Sequence, residues 1–188
     1  AQTLGKKGGA EALKALKLAL LKDKFWGVQA EAAEALAKMH TSEALDALIE
    51  ARQAKHPKAR RAVAKALGAW REEKAAKALL PMLKRDASCF VEATAAESLG
   101  RTRVPQAFPA LKQALKKNSW METIRGGVLR GLVELDPVKA LPLVEAWTRP
   151  GVSEPARMAS LPLWGRAARE SEKDEAKKRA RLALEKVM

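Results

Sequence analysis

The sequence predicts an all-α fold, a right-handed α-solenoid of stacked antiparallel helical hairpins. Two series of apolar positions repeat with a period near 32 residues, which is typical of helical repeat proteins. The first series has spacings of 31, 32, 33 and 32 residues: Leu36, Leu67, Leu99, Leu132 and Trp164. The second has spacings of 32, 31, 32 and 32 residues: Leu16, Leu48, Leu79, Leu111 and Leu143. Composition agrees, because 47% of the residues are hydrophobic and only 4% are aromatic, which favours a core of Ala, Leu and Val.

The two series divide the chain into about five repeats, each with an outer helix, called A, and an inner helix, called B. The A helices are expected at residues 10–22, 42–54, 72–84, 105–117 and 137–148. The B helices are expected at residues 26–39, 57–70, 89–101, 121–135 and 154–169. Apolar residues at every fourth position of four B helices predict one buried stripe on each: Val28, Ala32, Leu36; Ala59, Val63, Leu67; Val91, Ala95, Leu99; Ile124, Val128, Leu132.

Proline and glycine interrupt this pattern at a few positions. Proline inside a helix removes a hydrogen bond and bends the helix, so bends are expected in three A helices, at Pro81, Pro109 and Pro142. Gly126 and Gly127 are expected to weaken the fourth B helix. Bent outer helices suit a curved stack whose B helices line the concave face.

The basic residues of the B helices are the candidate binding residues. The net charge of +14 is compatible with an anionic partner such as nucleic acid. Because the cations are spread along the chain, a solvated helical surface is the preferred interpretation of the charge. A basic trough on the concave face is the sharper hypothesis, and its candidate members are Arg60, Lys65, Arg125, Arg130, Arg157 and Arg166.

No residues of this chain are expected to be catalytic, to bind a metal or to hold a cofactor. The two histidines, His40 and His56, are not at a zinc spacing, and the single cysteine, Cys89, cannot make a site alone. No apolar run of about 18 residues predicts a membrane span, and no signal peptide opens the chain, so a cytoplasmic protein is expected. Aromatic residues at the A-to-B junctions either plug the hairpin ends or form an exposed edge for a partner, and plugging is preferred: Phe25, Trp26, Phe90 and Trp120.

The spacing and the B-helix pattern resemble HEAT repeats, most clearly in Asp23 with Val28 and Leu36 and in Asp86 with Val91 and Leu99. The stretches 7–13 and 21–33 also resemble the C-terminal HEAT-like domain of bacterial zinc aminopeptidases, the gluzincins of the aminopeptidase N family. This resemblance implies a non-catalytic tail domain that packs on the catalytic domain of a longer protein, shapes access of peptide substrates and leaves the zinc in that other domain. The alternatives are a free-standing scaffold for protein partners and, third in rank, a basic nucleic-acid-binding array.

The two ends of the chain carry further expectations. One period before Leu36 stands Leu4, followed by Gly5, so residues 1–9 are interpreted as the end of a truncated repeat within a single domain, 1–188. Without a preceding B helix, the A-helix residues Leu13, Leu16 and Leu20 are expected to form an exposed docking face, through which the chain forms a homodimer. Residues 171–188 are expected to form a charged capping helix.

Overall fold

The computed structural model describes residues 9–170, and within that range the chain is all-α, with ten α-helices and no strand. Residues 1–8 of the expected truncated repeat (1–9) and the expected capping helix at 171–188 lie outside the described residues. The odd-numbered helices are the A helices and the even-numbered ones the B helices of five hairpins: α1 (Ala10–Lys22), α2 (Trp26–Met39), α3 (Ser42–Ala51), α4 (Pro57–Leu67), α5 (Glu73–Arg85), α6 (Cys89–Arg101), α7 (Phe108–Ala114), α8 (Thr123–Leu135), α9 (Pro137–Ala146) and α10 (Glu154–Glu170). The α-solenoid prediction is therefore confirmed.

Side-chain caps fix the starts of several helices. The Thr41 hydroxyl accepts a hydrogen bond from the amide of Ala44 at 3.2 Å and begins α3. The Asp136 carboxylate accepts one from the amide of Lys139 at 3.0 Å and begins α9, with Pro137 in the first turn. Such caps satisfy amides that have no partner within the helix, and proline costs nothing there because its position needs no amide hydrogen.

The hydrophobic core runs along the stack between the two helix layers. Each A helix packs on the B helix of its own hairpin, and each B helix packs on the B helices of the adjacent hairpins. The predicted B stripes are buried, with Val28, 37% exposed, as the exception. In the A series, Leu16, Leu48, Leu79 and Leu111 are buried, whereas Leu143 is only half-buried because α9 turns Leu141 and Val144 inward.

Helices α6 and α8 approach each other so closely that their backbones touch where glycines replace side chains. A Cβ atom added to Gly127 would lie 2.3 Å from the carbonyl oxygen of Ala93, and one added to Gly131 would lie 2.3 Å from that of Ala96. A Cβ atom added to Gly100 would lie 2.0 Å from the carbonyl oxygen of Gly131. The expectation that Gly127 only weakens its helix is therefore incomplete, because this glycine lets two backbones touch.

The proline positions divide into two groups. Pro81 and Pro142 lie inside α5 and α9, as predicted. Pro109 does not lie in a helix interior, because a short 3₁₀ turn, Pro105–Ala107, precedes α7 and places Pro109 in the first turn of that helix. A missing amide hydrogen is harmless in a first turn, so no bend is required of Pro109.

Candidate functional site

An open groove of about 480 Å³ crosses the B-helix face of the second hairpin and reaches its neighbours on both sides. We call it the basic groove and define it by the side chains that line it from α2, α4 and α6: Trp26, Lys58, Arg61, Lys65, Glu97 and Arg101. Four of these six residues are cationic and one is anionic. The groove therefore carries an excess of positive charge.

Helix α4 supplies three of the four cations. Lys58, Arg61 and Lys65 follow one another at intervals of three and four residues, which places them on one face of the helix. All three are exposed. The charged groups thus form a row along the groove. The sequence analysis named only Lys65 of this row. The spacing of Lys58 and Arg61 from Lys65 already indicated that all three lie on one face of the helix.

Trp26 closes one end of the basic groove. Its ring stacks on the imidazole of His56, with centroids 5.6 Å apart and planes 18° apart. The Nζ atom of Lys58 lies 4.4 Å from the centroid of the same ring. The His56 Nδ1 atom also accepts a hydrogen bond from the amide of Lys58 at 3.2 Å, which caps α4. These contacts hold the Lys58 ammonium at the groove.

From the α6 wall of the groove onward, the B-helix face is largely neutralised by ion pairs, most of them between adjacent repeats. Glu97 of α6 accepts a hydrogen bond from Nε of Arg130 at 2.9 Å and also pairs with Arg101 on its own helix. Glu134 of α8 accepts one from Nη1 of Arg166 at 2.6 Å. That hydrogen bond lowers the pKa of Glu134 and raises the pKa of Arg166. The structure therefore places the predicted residues Arg130 and Arg166 on the B-helix face, but as paired cations.

Arg60 does not belong to the predicted trough. Its guanidinium makes two hydrogen bonds to the Asp86 carboxylate, at 2.7 and 2.8 Å, and donates to the carbonyls of Ala54 and Lys55 at 3.0 Å. Burial opposes ionisation of Asp86, but hydrogen bonds from Arg60 and from the amide of Ser88 outweigh it and lower the pKa of this carboxyl. Arg60 therefore clamps the second repeat to the third.

Arg125 is a second clamp within the fold. Its side chain is buried, its Nε atom donates to the carbonyl of Leu115 at 3.0 Å, and its guanidinium pairs with Glu122. The guanidinium carbon also lies 4.0 Å from the centroid of the Trp147 ring. Arg157, the last predicted member of the trough, is half-buried, and its Nε atom is buried without a hydrogen-bond partner among the described residues.

Three of the four aromatic residues at the A-to-B junctions are exposed, which contradicts the expectation that they plug the hairpin ends, whereas Trp26 is half-buried. Phe25 is 58% exposed, Phe90 47% and Trp120 70%, and Met121 beside Trp120 is 58% exposed. We call these four residues the apolar edge. Met121 and Glu122 adopt φ values of 50° and 55°, a strained backbone for residues other than glycine, and this turn leaves Trp120 and Met121 in solvent.

The predicted docking face on α1 is not exposed. Leu16 and Leu20 are 1% and 0% exposed and belong to the hydrophobic core, and Leu13 is half-buried. The packing of α1 on α2 and α3 explains the burial. The large apolar side chain that this helix exposes is instead Leu18, at 62%.

In residues 9–170, no group of His, Cys, Asp and Glu side chains has the arrangement of a metal site. None of the helices in that range is long and apolar enough to cross a bilayer. His40 ends α2 in a left-handed conformation and lies against Trp70, so both histidines have local structural roles.

Stacked hairpins with a continuous core and an open groove define the class of α-helical repeat proteins. Within this class the chain belongs to the HEAT-repeat family, because the model of HEAT repeats matches residues 13–90 and 76–164. Among solved structures, the chain is similar to one in the complex of CpcE and CpcF of phycocyanin lyase from Nostoc sp. PCC7120. The TM-score is 0.66 and the identity 21%, over 92% of this chain and 76% of the other. No curated protein sequence matches this chain significantly.

Proposed function

We propose that this chain is a HEAT-repeat scaffold that binds a protein partner through the B-helix face of its first three hairpins. The observation that carries the proposal is the basic groove, which needs side chains from α2, α4 and α6 together and has four cations against one carboxylate. Stacked repeats commonly provide extended binding surfaces of this kind. The similar CpcE–CpcF structure is itself a complex of two proteins, which is compatible with a role in protein assembly.

The test is to locate the partner on the surface. The tagged chain is used to recover its bound protein from cells that naturally contain it, and amide hydrogen exchange is compared with and without that protein. We expect new protection in α2, α4 and α6, because a partner on the B-helix face shields them. Protection confined to the odd-numbered helices, or recovery of the chain without any bound protein, would contradict the proposal.

The narrower hypothesis of an aminopeptidase tail stays a prediction. It rests on the resemblance of residues 7–13 and 21–33, and the comparisons give no support for an aminopeptidase parent. Under this hypothesis the first partner is the catalytic domain, the zinc belongs to that domain and peptides pass close to the groove. Sequencing the gene upstream of Ala1 tests this hypothesis. A His-Glu-x-x-His segment with a later glutamate is expected there, and without that segment only the scaffold proposal would remain.

A further inference from the structure

We infer that the basic groove binds an acidic peptide segment of the partner, whose apolar residues rest on the adjoining apolar edge. This inference rests on the proposed function and names the chemistry of the partner at the same site. Three observations carry it: the sign of the charge in the groove, the length of the groove and the exposed rings at its rim.

The charge of the groove selects an acidic occupant. Lys58, Arg61 and Lys65 form one row on α4, and Arg101 faces the groove from α6. The single carboxylate in the lining, Glu97, is already engaged by Arg101 and Arg130. Carboxylates of an incoming peptide therefore meet cations along the row, and complementary charge of this kind supports both association rate and specificity.

The dimensions fit a short extended segment. Adjacent packed helices lie about 8–10 Å apart, so a groove from α2 through α4 to α6 is roughly 20 Å long. An extended chain advances about 3.3 Å per residue, so about six residues span this distance. A single groove therefore fits a linear motif of a partner protein.

The apolar edge adjoins the groove at two of its walls. Phe25 contacts Trp26, with ring centroids 5.4 Å apart, and Phe90 lies one helical turn before Thr94, which also lines the groove. Phe90 and Trp120 in turn contact each other at 6.5 Å. Apolar side chains at one end of the acidic segment would cover these exposed rings, since aromatic residues are typical anchors at interfaces.

Two features favour a peptide over nucleic acid. Trp26, the aromatic ring in the groove lining, already stacks on the His56 ring and contacts the Lys58 ammonium, so a nucleobase would compete with these contacts for stacking. Carboxylates also interrupt the cations of the B-helix face, because Glu97 and Glu134 hold Arg130 and Arg166 in ion pairs. A phosphate backbone requires a continuous cationic track, whereas a short acidic peptide needs only the row on α4.

Binding of defined peptides tests the inference. The probe is a labelled peptide of about eight residues, mostly glutamate, with leucine and phenylalanine at one end, and its affinity is measured by fluorescence anisotropy. We expect binding that weakens with added salt and that falls at least about tenfold in the double variant Arg61→Glu with Lys65→Glu, because each reversal replaces an attraction by a repulsion. The matched control, Lys14→Glu with Lys112→Glu, makes the same charge change on exposed A-helix residues and should bind as the wild type does.

The apolar part of the proposal has its own pair of variants. Phe90→Ser should weaken binding of the probe by about threefold to tenfold, and should change nothing for a peptide of glutamate alone. Leu18→Ser removes an apolar side chain on α1 that is more exposed than Phe90, and should leave both affinities unchanged. Far-ultraviolet circular dichroism of every variant confirms that the helices remain folded.

Each outcome supports or overturns the inference. A glutamine version of the probe that binds as well as the glutamate version, or equal losses in the groove and control variants, would overturn the acidic-peptide assignment. Tighter binding of a single-stranded oligonucleotide than of the probe at equal ionic strength, lost in the groove variant, would replace the peptide by nucleic acid. If the partner protects α2, α4 and α6 from hydrogen exchange but the probe does not bind, only this inference fails and the proposed function stands.

Discussion

The two adjacent glycines of α8 should respond in opposite directions to the same substitution. A Cβ atom added to Gly126 would make only ordinary contacts, at 3.6 Å from the Ala159 Cβ atom and from an Arg130 nitrogen. A Cβ atom added to Gly127 would lie 2.3 Å from the Ala93 carbonyl oxygen, about 1.1 Å short of the 3.4 Å at which ordinary contact begins. The obstacle at Gly127 is backbone of α6, which cannot rotate out of the way as a flexible side chain can.

The magnitudes follow from this geometry. Replacing glycine by alanine inside a helix gains about 1 kcal/mol, so Gly126→Ala should raise the free energy of unfolding by about 0.5–1 kcal/mol. At Gly127 the same gain is opposed by overpacking, which costs about 1–3 kcal/mol and more when backbone must move. We therefore expect Gly127→Ala to lower the free energy of unfolding by about 2 kcal/mol and to loosen the contact between the third and fourth hairpins.

Urea unfolding followed by circular dichroism measures both variants, and the wild type provides the reference. Hydrogen exchange should show faster exchange in α6 and α8 of the Gly127→Ala variant, since repeats are stabilised mainly by their neighbours. Stabilisation of the Gly127→Ala variant by as much as Gly126→Ala would refute the close approach of α6 and α8.

Four further predictions follow from the same structure. Leu67→Ala or Leu99→Ala should each lower the free energy of unfolding by about 2–5 kcal/mol, because both side chains are 0% exposed, and denaturant unfolding checks this. Arg125→Met should cost about 3 kcal/mol in the same assay, since it removes the cation that pairs with Glu122 and the donor to the Leu115 carbonyl, although the Ser153 hydroxyl still donates to Glu122; a neutral result would contradict the clamp. The lowered pKa of Asp86 means that its ionised form stabilises the fold above about pH 4 and that this contribution is lost as the pH falls through the folded-state pKa. The stability difference between wild type and Asp86→Asn should therefore shrink below about pH 4 in pH-dependent unfolding. Metal analysis of the purified chain should find no stoichiometric zinc, and activity assays should find no peptidase activity. One tightly held zinc per chain would contradict this prediction, which agrees with the lack of a metal-binding cluster in residues 9–170.

The repeat architecture was predictable because it depends on local chemistry. Apolar residues at every fourth position predicted helices, and the period near 32 residues predicted about five hairpins. The expected bounds of α1, α2 and α6 agree with the structure residue for residue. Helix α3 ends early, at Ala51, because its last turn unwinds into a loop, and α7 and α8 begin later than expected because a 3₁₀ turn precedes each of them. The leucine stripes also followed from the pattern, since every helix of a two-layer stack must bury one side.

The candidate site was predictable only in part. Lys65 was named, and it lies in the basic groove, but Lys58, Arg61 and Arg101 were not named with it. The opposite charges of Glu97 and Arg130, and of Glu134 and Arg166, stand 33 and 32 residues apart, close to one repeat period. The period therefore contained the information that these arginines pair with carboxylates of the preceding repeat.

What the sequence determined by itself is the set of helices, their period and the side that each buries, because these depend on residues within a few turns of one another. Only the tertiary structure decided which cations are available to a partner. Arg60 and Lys65 lie on the same helix, yet Arg60 meets Asp86, 26 residues away, and becomes a clamp, whereas Lys65 opens onto the groove. The close contact at Gly127 and the burial of Leu16 were decided in the same way. The physical reason is that burial, pairing and steric contact depend on the distance between helices, and that distance is set by the packing of the whole stack.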